Sequence, residues 1–161
     1  KKSVPLEEAA QRFDSAYRLL LNAPPDDIST PGGPARVIDR HSCTYGARRF
    51  GHVVMKYRGR AVSLLMTANA GRTRHIGPDA IPRVIGRPID GLSVVSVDGT
   101  HHAILLVSDL DSTELTQLST AVSVPLVRRL EVSVTPERII FASRQFDRAF
   151  QLLTLSGAQY E

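Results

Sequence analysis

At 161 residues with an apolar share of 42%, the chain has the length of one domain and enough apolar side chains for a core, which excludes a disordered segment. A single cysteine excludes an internal disulfide framework, and no apolar run approaches the roughly 20 residues that span a bilayer. The net charge is +4, yet the arginines are scattered, with Arg48-Arg49 and Arg128-Arg129 as the only adjacent pairs, so no nucleic-acid face is expected.

Lys1-Lys2 lead directly into the first predicted helix without an initiator Met, as expected of a chain processed or excised from a longer one. That helix covers Pro5 to Leu21, because Leu6, Ala9, Ala10, Phe13, Tyr17 and Leu20 recur at helical spacing and Glu7-Glu8 occupy the first turn. Ala23 to Pro34, rich in Pro, Asp and Gly, reads as a linker without regular structure. Ala35 to His41 is a predicted strand. Phe50 to Tyr57 and Ala61 to Thr67 form a hairpin around Arg58-Gly59-Arg60.

Ala68 to Asp90 carries little periodicity and reads as a long loop. Leu92 to Val97 and His101 to Ser108 make a second hairpin around Asp98-Gly99. Asp111 to Val122 is a helix with a capping-box pattern at Asp111 and Glu114. Leu130 to Val134 and Arg138 to Ala142 read as a further strand pair, although Val127 to Leu130 also fits an extension of the preceding helix; Ser143 to Leu155 is a closing helix. The expected fold is α+β and two-layer, a mainly antiparallel sheet of two or three hairpins with N-terminal, middle and C-terminal helices. It is one domain, residues 1–161: an N-terminal helix at 1–22, the core sheet and helix at 35–122, and a strand pair and helix at 123–161.

Chemistry concentrates around Cys43. Thiolate and imidazole are the donors that zinc and copper prefer, and on an extended backbone His41 and Cys43 project to one side, within reach of His52 if the chain folds back. The predicted metal ligands are Cys43, His52 and His41, with His75, His101 or His102 able to complete a set of four. The spacing matches no strong metal signature, and a buried inert Cys beside hydrogen-bonded histidines accounts for the same residues. Cys43 also fits a redox thiol activated by Arg40, Arg48 and Arg49. A Cys43–His52 nucleophilic dyad oriented by Asp39, Asp98 or Asp109 is the catalytic variant, but no hydrolase, kinase or nucleotide-binding motif accompanies it, so no enzyme is expected.

His41-Ser42-Cys43 ahead of Arg48-Arg49-Phe50-Gly51-His52, followed by Tyr57-Arg58-Gly59-Arg60-Ala61-Val62-Ser63-Leu64-Leu65, resembles the extracytoplasmic part of bacterial membrane-anchored anti-sigma-factor-like proteins of the zinc-finger type. Leu92 to Val95, Ala103 to Leu110 with Glu114-Leu115, and Pro5 to Asp14 with Ala16-Tyr17 extend the likeness over roughly residues 3–122. The resemblance implies a periplasmic sensory domain on the outer face of the inner membrane, tethered by an upstream membrane helix. A cytoplasmic segment absent from this chain would hold a sigma factor. It also implies a His- and Cys-containing segment upstream of Lys1.

The expected function is therefore a non-catalytic sensory domain of an anti-sigma-type transcription regulator. The alternative is a stand-alone periplasmic metal-binding or thiol-redox protein that uses Cys43 and His52. An exposed strand edge near Val132 or Ile139 makes a homodimer conceivable.

Overall fold

The structure is a computed structural model that describes residues 3–69, 81–85 and 90–132. The chain divides into two compact units, Lys1–Glu131 and Val132–Glu161, and the first is described here. Its elements are helix α1 (Leu6–Arg12), a 3-10 helix (Ser15–Leu21), strands β1 (Asp27–Thr30), β2 (Gly33–Tyr45), β3 (Arg48–Tyr57), β4 (Arg60–Ala68), β5 (Arg83–Val84), β6 (Ser93–Asp98) and β7 (His102–Ser108), and helix α2 (Ser112–Val132). Among the described residues the strands form one seven-stranded sheet in the order β1-β2-β3-β4-β7-β6-β5. Each neighbouring pair is antiparallel. The α+β class is the one expected from the sequence.

The β3–β4 hairpin follows its turn chemistry. Tyr57 pairs with Arg60, leaving the two-residue loop Arg58-Gly59, and both loop residues have positive φ, at 50° and 73°. That backbone matches the right-handed twist of the flanking strands, and the glycine adopts it without a Cβ penalty. At α2, the Asp111 carboxylate accepts from the Glu114 backbone N–H at 2.8 Å, as the capping pattern predicts. The Glu114 side chain, however, pairs with Arg58.

Four expectations need correction. The N-terminal helix breaks after Arg12, and Asp14 caps a separate 3-10 segment by accepting from the Ala16 N–H at 2.9 Å. A short polar side chain that bonds its own backbone competes with helix continuation. The linker is not wholly irregular: Asp27–Thr30 zips onto Gly33–Arg36 as β1. Residues 42–45, beyond the predicted strand end at His41, continue β2 through Tyr45 and pair with Arg48–Gly51. Leu130 to Val132 belong to α2, which runs on past Pro125 instead of giving way to a strand. The predicted strand Arg138 to Ala142 and helix Ser143 to Leu155 lie outside the described residues, as does most of the 68–90 loop.

The core joins one sheet face to the helices. Val53 and Met55 of β3, Val62, Leu64 and Met66 of β4, Val95 and Val97 of β6, and Ile104 and Leu106 of β7 are all fully buried. They share a cluster with Leu6, Ala9 and Ala10 of α1, Leu20, and Leu115, Leu118 and Val122 of α2. Each such leucine or valine stabilises the fold by roughly 1.5–3 kcal/mol relative to exposure. Gly51 sits on this face because Tyr17 and Leu20 fill the space over it.

A β-bulge decides which residues of β2 face the opposite way. Ala35, Arg36 and Val37 pair with Tyr57, Lys56 and Met55, but the next pair is Asp39 with Val54, so Ile38 is an extra residue. Ile38 is 58% exposed. In a regular strand Asp39, His41 and Cys43 would share the core-facing side with Val37. The extra residue turns them to the other face and sends Arg40 and Ser42 toward the helices.

Candidate metal centre

The register after the bulge sets His41 directly across from His52, and Cys43 across from Phe50. Because side chains alternate along a strand, His41, Cys43 and His52 then occupy one patch of the non-core face. Cys43 is 1% exposed and His52 8%, while His41 is half-buried at the rim. One ligand atom from each of the three lies within 4.8 Å of the others. Cys43 Sγ stands 3.8 Å from His52 Nδ1. The two imidazoles have centroids 4.7 Å apart and planes inclined by 59°. Every predicted ligand is therefore brought to one place.

Two further side chains orient the rings. Asp39 Oδ2 lies 2.9 Å from His41 Nδ1, and Ser63 Oγ lies 2.9 Å from His52 Nε2. When His41 Nδ1–H donates to the Asp39 carboxylate, its Nε2 lone pair is the one left for a metal. When His52 Nε2–H donates to Ser63, its Nδ1 lone pair points to the thiol side. An outer partner that fixes tautomer and ring orientation is the usual arrangement behind a metal-bound histidine. Neither partner was assigned this role from the sequence. Ser63 was nonetheless within reach of such reasoning: the Arg58-Gly59 turn fixes the register that pairs Ser63 with Val54, one step diagonal to His52.

Two other candidates, His101 and His102, are placed away from this group. His102 Nε2 lies 2.7 Å from Asp14 Oδ2, and among the described residues exposed His101 joins no group of metal-binding side chains. His75 lies outside the described residues. Burial pushes the Asp14 carboxyl up, but the His102 hydrogen bond and charge, with the Ala16 N–H, outweigh it and hold Asp14 below the usual carboxylate range. The carboxylates named as orienters of a catalytic dyad also have other duties. Asp39 serves His41, Asp98 accepts from Arg83 and Ser96, and Asp109 accepts from Arg60.

Two of the three arginines named as thiol activators, Arg40 and Arg49, make structural contacts. Arg40 is turned toward the helices, where it donates to the Leu20 and Pro24 carbonyls at 2.8 and 2.6 Å and pairs with Asp26. Arg49 donates to Ser42 Oγ at 3.1 Å and lies 3.8 Å over the Phe13 ring.

Two imidazoles and a thiol form a donor set for a borderline or soft metal ion. Among the described residues this is the one group of three or more such side chains, and no helix there is long and apolar enough to cross a membrane. No protein-family model matches the chain, and no curated protein and no solved structure is similar enough to show kinship.

Proposed function

We propose that this chain is a non-catalytic sensory domain whose signal is a zinc or copper ion held by His41, Cys43 and His52. One observation carries the reading: three metal-binding side chains converge within 4.8 Å, and each histidine has a hydrogen-bonding partner on one ring nitrogen. The ion would tie β2 to β3 and favour the conformer in which both strands hold their ligands, which is what a sensor requires.

The sequence resemblance supports the wider setting, a periplasmic domain of a membrane-anchored anti-sigma-type regulator. Its sigma factor would be held by a cytoplasmic segment outside this chain, and its membrane helix would lie upstream. The reading includes a two-layer build, supported by the single core that the buried sheet face shares with the helices. Pairing of two copies along a sheet edge is part of the same proposal. A second reading, a stand-alone metal-binding or thiol-redox protein, is favoured by the 3.8 Å approach of Cys43 Sγ to His52 Nδ1, since a thiol beside an imidazole is also a redox group.

Elemental analysis of untagged wild-type and Cys43→Ser protein tests the metal reading. About one equivalent of zinc or copper in the wild type, lost in the variant, is the expected result. No metal in either protein, even after incubation with both ions, would overturn it. The stretch encoded ahead of Lys1 separates the two settings, because only the regulator needs a membrane helix and a sigma-binding segment there.

A further inference from the structure

We infer, resting on the metal-binding reading above, that the ion controls the docking of residues 4–13, a segment fastened at both ends to Ser42, the residue between the ligands His41 and Cys43.

The first fastening is main-chain. Val4 N–H donates to the Ser42 carbonyl at 2.9 Å, and Ser42 N–H donates to the Val4 carbonyl at 2.8 Å. In an antiparallel strand the N–H and C=O of one residue point to the same side, and sides alternate along the chain. Ser42 therefore gives both groups to Val4, while His41 and Cys43 turn theirs to β3, where they pair with His52 and Phe50. This bridge lies on the same edge of β2 as β1, beyond the last β1 pair, Asp27 with Arg36.

The second fastening runs through side chains. Ser42 Oγ accepts from Arg49 Nη1 at 3.1 Å, and the Arg49 guanidinium lies 3.8 Å over the ring of Phe13, the residue that ends α1. Both ends of the α1 segment thus converge on one fully buried residue. Helix α1 has seven residues, too few to stay helical alone, so it depends on these ties and on burying Leu6, Ala9 and Ala10 in the core. Elements of this kind open at the low end of local stability.

The direction of the coupling follows. With residues 4–13 docked, Ser42 has both main-chain groups paired, and β2 stays extended with His41 and Cys43 beside His52. When the segment leaves, Ser42 loses both of those bonds, and the ligands on either side lose a fixed backbone. The ion therefore binds the docked state more tightly. By reciprocity its presence holds residues 4–13 down, and its loss lets them open.

The test follows amide hydrogen exchange of the full chain by NMR, with and without one equivalent of Zn(II) or, in the absence of oxygen, Cu(I). The Val4 and Ser42 amides, the two donors of the bridge, should slow by at least about fivefold with metal. The amides of β1, on the same edge but away from the ligands, should change by less than about twofold. Val4→Pro removes one donor of the bridge, and Phe13→Ala removes the ring under Arg49 at a position 48% exposed, which the fold tolerates. Each should weaken metal binding about fivefold or more in chelator competition, with one equivalent still bound and an unchanged circular dichroism spectrum. Metal uptake that leaves Val4 and Ser42 exchange unchanged, or slows β1 equally, would overturn the coupling and leave the metal reading standing. Undiminished affinity in both variants would do the same. Uptake of neither ion would overturn both.

Discussion

His41 and His52 face each other across β2 and β3 with planes inclined by 59°, so the rings converge toward Cys43 and do not stack. Each ring is held from behind, His41 by Asp39 of its own strand and His52 by Ser63 of the next. Three strands therefore meet in one small cluster: β2 supplies His41, Cys43 and the Asp39 carboxylate, β3 supplies His52, and β4 the Ser63 hydroxyl behind it. Rigid antiparallel pairing sets these positions more closely than a loop would.

Asp39→Asn should lower metal affinity about 10- to 100-fold while the stoichiometry stays at one. Asn can still accept from His41 Nδ1–H, so the geometry survives and only the negative charge that strengthens the imidazole donor is lost. The Asp39 side chain is 60% exposed, and the unfolding midpoint of the metal-free protein should move by no more than about 0.5 kcal/mol in equivalent stability. Chelator competition and thermal unfolding together read both effects. An unchanged affinity would remove Asp39 from the site.

Much of this arrangement was legible because it depends on local chemistry. The Arg58-Gly59 turn sets the β3–β4 register, Asp111 marks the start of α2, and Cys43 with His41 and His52 stands out as the densest cluster of donors in the chain. What was not legible depends on long-range pairing. Nothing in Ile38 announces a bulge, and β1 forms only because β2 offers an edge to a polar segment of low strand propensity. Leu130 fits a strand or a helix equally well by composition, and the burial of Val124, Leu126 and Val127 decides for the helix.

The Asp14–His102 pair gives a prediction for acid. Asp14 is held below the usual carboxylate range in the folded state, so its contribution to stability is fully present above its unfolded value near 3.8. That contribution fades as pH falls through the lower folded value. Asp14→Asn keeps an acceptor for the Ala16 N–H and removes the charge. Its melting temperature should fall below that of the wild type at pH 6, and the gap should have narrowed at a pH well below 3.8. A gap of the same size at both pH values would show that the ionic part of the pair contributes nothing.

Gly51→Ala should destabilise the fold by about 1–3 kcal/mol. A Cβ at this position would fall 2.6 Å from Leu20 Cδ1 and 3.0 Å from Tyr17 Cδ1, and Leu20 is fully buried and has little room to yield. Combining it with Leu20→Ala, which removes the clashing methyl, should cost less than the sum of the two single changes. Denaturant titration of the four proteins gives the coupling; strict additivity would mean that the two residues do not compete for the same space.

Ile38 is the last residue to test, because its presence, more than its side chain, sets the site. Ile38→Ala should leave stability within about 0.5 kcal/mol and metal stoichiometry unchanged, since the side chain is 58% exposed. Deleting Ile38 removes the bulge and, if β2 keeps its pairing from Ala35 to Val37, turns Asp39, His41 and Cys43 toward the helices. An unpaired Asp39 would then face the core and Arg40 would lose its carbonyl partners at Leu20 and Pro24, so the folded state should weaken severely and metal binding should disappear. A deletion variant that still binds one equivalent would mean that His41 and Cys43 do not depend on the bulge for their facing. Metal stoichiometry and circular dichroism of the two variants, measured side by side, separate loss of the site from loss of the fold: the alanine protein should keep both, and the deletion should lose the first whether or not it keeps the second.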